Sequence, residues 1–229
     1  MKTQTKIIAT VGLPDKKPYA NKLAEEGADI IRVNTKYGSE KDWTNIINKV
    51  KKTKSKILID IPSPKSKNHQ QLQNYNYLAI SFTETAGQIK KIKQNLPKVI
   101  KVIAKIENKK GIKNIDEIIK ASDGVMVARG DLGKNIPFEK VPFVQKLIMK
   151  KCNKKGRLDI TATEMLLSML HSKSPSRADV SDIANAVLDG SDALMLSEET
   201  AIGDHPILCI KTMRKIIREA EKYGPLLNK

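Results

Sequence analysis

"VIAKIENKKG" (Val102–Gly111) is the stretch whose reading decides the fold. It opens as a buried strand, with Val102, Ile103 and Ala104. Before the apolar run ends it places Lys105 and Glu107 two residues apart, with Ile106 between them. Residues i and i+2 of a strand point to one face, so an ammonium and a carboxylate are pushed into the same surroundings. Burying either charge unpaired is costly. The question is what that face sees.

Outward from this stretch, β-type runs alternate with amphipathic helical runs. "KIIATVG" (6–12) precedes the helical "PYANKLAEEGA" (18–28), and "DIIRVNT" (29–35) precedes "KDWTNIINKVKK" (41–52). "KILIDIP" (56–62) is followed only by the polar, irregular "SPKSKNHQQLQN". "YLAISF" (77–82) leads into "TAGQIKKIKQNL", and the strand in "VIKVIAKIEN" into "GIKNIDEIIKAS". Then come "DGVMVARGD" with the helix of residues 137–156, "LDITATEM" with "SRADVSDIANAVLDG", and "DALMLSEET" with "PILCIKTMRKIIREAEKY". Strict alternation with nearly continuous apolar strands argues for a parallel sheet covered by helices. Eight such units in 229 residues predict a single-domain α/β parallel (β/α)8 TIM barrel over residues 1–229. An open doubly wound sheet is the alternative, weakened because no glycine fingerprint follows the first strand. The third unit lacks room for a full helix.

Composition narrows the class. Aromatics are only 4%, so the core is built of Ile, Leu, Val, Ala and Met. No run reaches membrane-spanning length, and "MKTQTKIIATVG" lacks the long apolar segment of a signal peptide; the expectation is a cytoplasmic protein without a membrane partner. The net charge is +17, yet the lysines are scattered and not interleaved with aromatics, which argues against a nucleic-acid partner. Cys152 and Cys209 lie far apart in helical segments without metal-ligand spacing and read as small apolar residues.

Aligned by their C-terminal ends, the strands gather polar residues. The second ends in Arg32 and Asn34, the third in Asp60, and the fifth in Lys105 and Glu107. The sixth ends in Arg129 and Asp131, the seventh in Thr161 and Thr163, and the eighth in Ser197 and Glu199. In a parallel barrel these surround the mouth where active sites form. Glu107 and Asp131 from neighbouring strands would repel unless one is protonated or a cation lies between them. Mg²⁺ or Mn²⁺ suits oxygen ligands while leaving positions for substrate oxygens. His69, His171 and His205 lie away from the strand ends, against a His-based zinc site. Lys105 and Arg32 would meet an anionic group, and the "ARGDLG" turn (128–133) offers backbone N–H groups to a carboxylate or phosphate. The implied substrate is a metal-chelated, doubly anionic small molecule.

The motifs "KIEN", "SDGVMVARGDLG", "KCNKKG", "TATEML", "SDIANAVLDGSDALMLSEETAIGDHP", "TKIIATVG" and "GADIIRVN" resemble, in order, those of the pyruvate kinase family. The resemblance implies a glycolytic transferase that moves a phosphoryl group from phosphoenolpyruvate to ADP through the pyruvate enolate. It implies Mg²⁺ on Glu107 and Asp131, Lys105 stabilising the transferring phosphoryl group and the enolate, and Arg32 on the phosphate. Thr163 would sit near the proton-delivery path, the amides around Gly130 and Asp131 would hold the carboxylate, and Glu199 with Ser197 would lie behind the first layer. Asn34 and Asp60 would belong to a monovalent-cation site. The family inserts a lid domain after the third strand and adds a C-terminal regulatory domain. Here the insertion point, near residues 67–77, is truncated and the chain ends after the eighth helix, so the expectation is a barrel alone.

Departures from the family pattern cluster on the nucleotide and potassium side. The usual "RxNFSHG" reads "RVNTKYG", with Lys36 and Tyr37; "DTKGPEIR" reads "DIPSPKSK", with Ile61, Lys65 and Lys67; "LSGET" reads "LSEET", adding Glu198. Family members that do without potassium carry Lys at the position of Lys65, so the resemblance implies that a tethered ammonium from Lys65, or Lys36, replaces the ion and potassium is not required. Lys67 would lie on the nucleotide side. Three functions stay open: a minimal pyruvate kinase, a phosphoenolpyruvate or pyruvate-enolate enzyme that uses no nucleotide (decarboxylase, aldol-type lyase or transferase), and a non-catalytic binding remnant. The partners expected are phosphoenolpyruvate or pyruvate and ADP or ATP, with a homo-oligomer left open.

Overall fold

The computed structural model describes residues 5–13 and 20–227. Within them, β1 (Lys6–Thr10), β2 (Ile30–Asn34), β3 (Lys56–Ile61), β4 (Tyr77–Ile80), β5 (Lys101–Ile106), β6 (Gly124–Ala128), β7 (Leu158–Ala162) and β8 (Ala193–Leu196) pair in sequence order. They form one closed, all-parallel barrel, with β8 returning to β1. The expected (β/α)8 barrel is the observed fold, and the open-sheet alternative is excluded.

Around it run α1 (Ala20–Glu25), α2 (Glu40–Val50), α3 (Ala86–Lys93), α4 (Lys109–Lys113), α5 (Ile115–Ala121), α6 (Arg129–Asn135), α7 (Val141–Lys154), α8 (Arg177–Leu188), α9 (Glu198–Ala201) and α10 (Pro206–Leu227). The proposed start of α1 at Pro18 lies outside the described residues. Residues 62–76, between β3 and β4, contain turns and no helix, as the short third unit implied. No helix among the described residues is long and apolar enough to cross a membrane.

Strand alternation sorts the apolar residues into two cores. Ile8, Ile30, Leu58, Ala79, Ile103, Met126, Ile160 and Met195 fill the barrel interior. Their sequence neighbours, such as Ile7, Ile31, Ile59, Ala104, Val127 and Leu194, pack outward against the helices. Below the mouth both faces of the strands are therefore mostly apolar, which is why the strands read as near-continuous hydrophobic runs. Cys152 and Cys209 are free and fully buried in the outer core. Burial pushes both thiols up to about 12, with the carboxylates of Asp159 near the first and Glu199 near the second adding to it. They behave as the small apolar residues expected.

Side-chain caps fix the helix starts. Ser39, Thr85 and Ser176 each close a capping box at the head of α2, α3 and α8, satisfying N–H groups that have no partner inside the helix. The helix expected over 111–122 is two. Asn108 caps α4 by accepting the Gly111 N–H at 2.9 Å, and the chain breaks at Asn114, whose Nδ2 donates to the Glu84 carbonyl at 2.8 Å. The strand end expected at Arg129 and Asp131 is corrected: β6 stops at Ala128 and both residues lie on α6.

Gly124, at the start of β6, leaves no room for a side chain. A Cβ there would lie 2.7 Å from the Leu158 carbonyl oxygen and 2.9 Å from Ile103 Cδ1. Gly124→Ala is expected to destabilise the barrel by about 2 kcal/mol, the usual cost of overpacking. Thermal unfolding should show the midpoint fall by about 4–8 °C.

Candidate active site

The inward faces of β1, β2, β3 and β5 carry the site. In β2 the positions Ile30, Arg32 and Asn34 share that face, in β3 Leu58 and Asp60, and in β5 Ile103, Lys105 and then Glu107. The apolar member of each set fills the barrel and the polar member caps it. Arg32 (8% exposed), Asp60 (1%), Lys105 (6%) and Glu107 (1%) are all buried.

These four form one connected chain of charge. Arg32 Nε and Nη2 donate to Asp60 Oδ2 at 2.9 and 2.8 Å. Lys105 Nζ lies 3.1 Å from Asp60 Oδ2 and 3.0 Å from Glu107 Oε1. The other Glu107 oxygen accepts the Phe82 N–H at 2.6 Å. Lys105 also donates to Ser81 Oγ at 2.7 Å, and Ser81 donates to Asp60 Oδ1 at 3.3 Å. At the far end Arg32 Nη1 donates to Thr10 Oγ1 at 3.0 Å, which donates to the Leu196 carbonyl at 2.8 Å. The chain runs from β8 through β1, β2, β3 and β4 to β5. The face shared by Lys105 and Glu107 thus sees their mutual ion pair and Asp60, and two cations balance two carboxylates.

Burial alone would raise the Asp60 carboxyl, but the Lys105 ammonium and the Arg32 guanidinium outweigh it and hold the group below its ordinary value of 3.8. Thr10, Ser81 and the Phe82 amide were missed from sequence. Thr10 follows Ile8, and Ser81 follows Ala79, at inward positions; extending the alternation by one step would have found both. Phe82 has φ +51°, an uncommon conformation for a bulky residue, and its amide is held by Glu107.

A second group lies across the mouth. Thr163 (φ +73°) and Glu164 (φ +54°) turn the chain sharply after β7, which is strained for a β-branched residue. Arg129 holds this turn: Nη2 donates to the carbonyls of Thr163 at 2.6 Å and Glu164 at 3.3 Å. Its Nη1 is anchored by Asp182 at 2.7 Å. Thr163 Oγ1 accepts the Gly130 N–H at 2.8 Å and donates to the Ala162 carbonyl at 2.5 Å. Thr161, expected beside Thr163, faces outward instead and pairs with Ser191 Oγ at 2.8 Å; alternation places it opposite the inward Ile160 and Ala162. Glu199, fully buried, accepts the N–H groups of Met165 (3.1 Å), Leu166 (3.2 Å) and Ser197 (2.7 Å). It ties the end of β7 to the end of β8.

The remaining candidates lie at the rim. Asp131 is half-exposed on α6, with Oδ1 3.3 Å from Lys134 Nζ. Lys36, Lys65 and Lys67 are exposed. The Lys36 amide donates to Asn34 Oδ1 at 3.1 Å, and its ammonium lies 5.8 Å from the centre of the Tyr37 ring. A cavity of about 390 Å³ opens beside the charge chain, lined by Arg32, Asn34, Thr163, Ser197 and, among residues not assigned a role from sequence, Tyr37 and Glu198. No group of three or more His, Cys, Asp or Glu side chains forms a cage for a metal among the described residues. Glu107 has one oxygen on Lys105 and the other on the Phe82 N–H, while Asp131 stands half-exposed beside Lys134.

Comparison with known proteins identifies the family of the barrel. Residues 59–210 match the family model described as pyruvate kinase, barrel domain. Similar proteins include the pyruvate kinase of Geobacillus stearothermophilus, 50% identical over 154 residues that cover 66% of this chain and 26% of the relative. That of Methanocaldococcus jannaschii is 47% identical over 154 residues, 66% of this chain and 34% of the relative. That of Clostridium perfringens is 42% identical over 206 residues, 85% of this chain and 42% of the relative. The matched part thus covers between 26% and 42% of the length of these relatives.

Removing one member of a buried charge chain leaves the others unpaired. Asp60→Asn is expected to cost about 3–5 kcal/mol in chemical denaturation. Because the folded-state value of Asp60 is depressed, its contribution is complete above the ordinary carboxylate value and is lost as pH falls through the depressed one. Stability of the native chain should therefore fall more steeply below about pH 4 than that of the Asn variant.

Proposed function

The chain belongs to the pyruvate kinase family, and from that premise we propose that its barrel mouth transfers a phosphoryl group from phosphoenolpyruvate to ADP. The observation that carries this reading is the Lys105 ammonium, fixed by Asp60, Glu107 and Ser81. A cation held rigidly in a dry site stabilises developing negative charge without reorganising. That is what phosphoryl departure demands, since the charge moves onto the phosphoryl oxygens and the enolate left behind. Arg32 adds its charge on the phosphate side, oriented by Asp60 and Thr10. The Thr163 hydroxyl, which accepts the Gly130 N–H and donates to the Ala162 carbonyl, is assigned to proton delivery to the enolate carbon, and the amides around Gly130 and Asp131 are assigned to the carboxylate, the Gly130 N–H exchanging Thr163 for it.

Glu107 and Asp131 are the residues proposed to hold Mg²⁺ or Mn²⁺, which when bound would neutralise substrate oxygens as a Lewis acid. Potassium independence is part of the proposal. The Asp60 carboxylate already faces two organic cations, and Lys65 and Lys36 stand at the rim in place of the family's glutamate and serine. Lys67 is assigned to the nucleotide side, and Glu199 and Ser197 support the site from behind.

One observation favours a second reading. Glu198 puts an exposed carboxylate on the cavity beside Arg32, which opposes the approach of a polyphosphate. In that reading the same residues make the enolate without a nucleotide.

An assay coupled to pyruvate, with phosphoenolpyruvate, ADP and Mg²⁺, is expected to show turnover that is unchanged when potassium is replaced by a tetraalkylammonium salt. Lys105→Met should lower kcat by about 10²–10³. Proton exchange into pyruvate with no ADP-dependent turnover would select the second reading, and absence of both activities would refute a catalytic role.

A further inference from the structure

The turn segment between β3 and β4 does more than close the gap. It starts at the mouth, where Asn68 Nδ2 donates to the Thr35 carbonyl at 3.0 Å. It ends at the opposite end of the barrel, where Asn76 Oδ1 accepts the Ile57 N–H at 2.9 Å and its carbonyl accepts the Lys101 N–H at 3.0 Å. Between these anchors, residues 69–75 face the loop 95–100 that leads from α3 into β5, and a cavity of about 650 Å³ opens between them. This volume lies in the range of small-molecule sites.

We infer that this cavity is a second ligand site, separate from the mouth, and that it takes an uncharged planar heterocycle with hydrogen-bonding edges, of the nucleoside class. The lining carries the argument. In a chain of net charge +17, no lining residue among those described is Lys, Arg, Asp or Glu, so a charged ligand finds no counter-charge from them. The polar groups present are the amides of Gln70, Gln73, Asn74 and Asn95 and the rings of His69 and Tyr75. Side-chain amides pair with base edges through a donor and an acceptor at once, and aromatic faces stack on bases.

His69 adds a polar ring whose Nδ1 is covered by protein, so a ligand meets that nitrogen only if the side chains over it move aside. It is only 7% exposed, and its Nδ1 is buried without a hydrogen bond. Such groups are rare in folded proteins and call for an explanation. Burial lowers its pKa, so the neutral ring offers one donor and one acceptor. Burial likewise pushes the Tyr75 phenol up to about 12, leaving it a protonated donor. Asn74, at φ +61°, makes the left-handed turn that Asn tolerates and keeps the segment folded around the cavity.

The probe is adenosine, measured by equilibrium dialysis against the intact chain. One saturable site per chain is expected, with Kd below about 1 mM. Val99 lines the cavity and is 80% exposed, so Val99→Trp fills the space without entering the core and should weaken binding at least about tenfold. His69→Phe keeps the shape and removes the ring nitrogens, and should weaken binding while unfolding stays cooperative. AMP should bind no more than about threefold tighter than adenosine. The inference is overturned by absence of saturable binding up to about 5 mM, by equal binding in the Val99→Trp chain, or by displacement of adenosine by phosphoenolpyruvate. It is equally overturned by AMP binding far more tightly, since the phosphate would then dominate. None of these outcomes depends on whether the mouth is a kinase site.

Discussion

Everything at the barrel mouth depends on one electrostatic constraint: the charges that cap the interior must balance where water is scarce. Arg32, Asp60, Lys105 and Glu107 meet it as a chain, each held by the next. Breaking it anywhere leaves a buried ion without a partner, which costs more than the pair contributes. The constraint also serves chemistry. Side chains fixed for structural reasons are already oriented, so a reacting anion meets a preorganised field instead of mobile solvent dipoles. The strained backbone at Phe82 and Thr163 belongs to the same economy. Each strained residue is gripped by a buried or half-buried charge, Glu107 for the first and Arg129 for the second.

Much of this was legible in the sequence, because the parallel barrel buries both strand faces and leaves polar residues only where the strands end. Lys105 and Glu107 stood out because nothing apolar explained them, and alternation alone places Arg32 and Asp60 on the same inner wall. Legibility stopped where alternation stops. Arg129 and Asp131 follow a strand that turns directly into a helix, so counting by two did not give their directions, and on β7 it placed Thr161 beside Thr163 although Thr161 faces outward and only Thr163, turned through positive φ, lines the cavity. Thr10 and Ser81 escaped notice for the opposite reason: hydroxyls are common in strands and draw attention only once their charged partners are known. The role of Glu199 as a three-amide acceptor was also invisible, since backbone N–H groups carry no sequence signal.

The connection between β3 and β4 is where this chain parts from the pattern its motifs resemble. Its turns hold to the mouth through Asn68 and to the strand starts through Asn76. It carries Lys65 and Lys67 near one end and the His69 and Tyr75 rings near the other. Leu72 and Tyr75 anchor the segment between those ends in the outer core. The charged rim and the uncharged cavity are therefore joined by one continuous stretch of backbone.

The central claim is that the balanced charge chain presents Glu107 to a divalent ion and Lys105 to the departing phosphoryl group. Diffraction from crystals grown with Mn²⁺ and a non-transferable phosphoenolpyruvate analogue, read at the manganese absorption edge, tests it most directly. The account predicts a single strong anomalous peak bounded by the carboxylates of Glu107 and Asp131, with the Lys105 ammonium against the phosphoryl oxygens. A peak elsewhere, or a bound analogue with Lys105 turned away from it, would contradict the account.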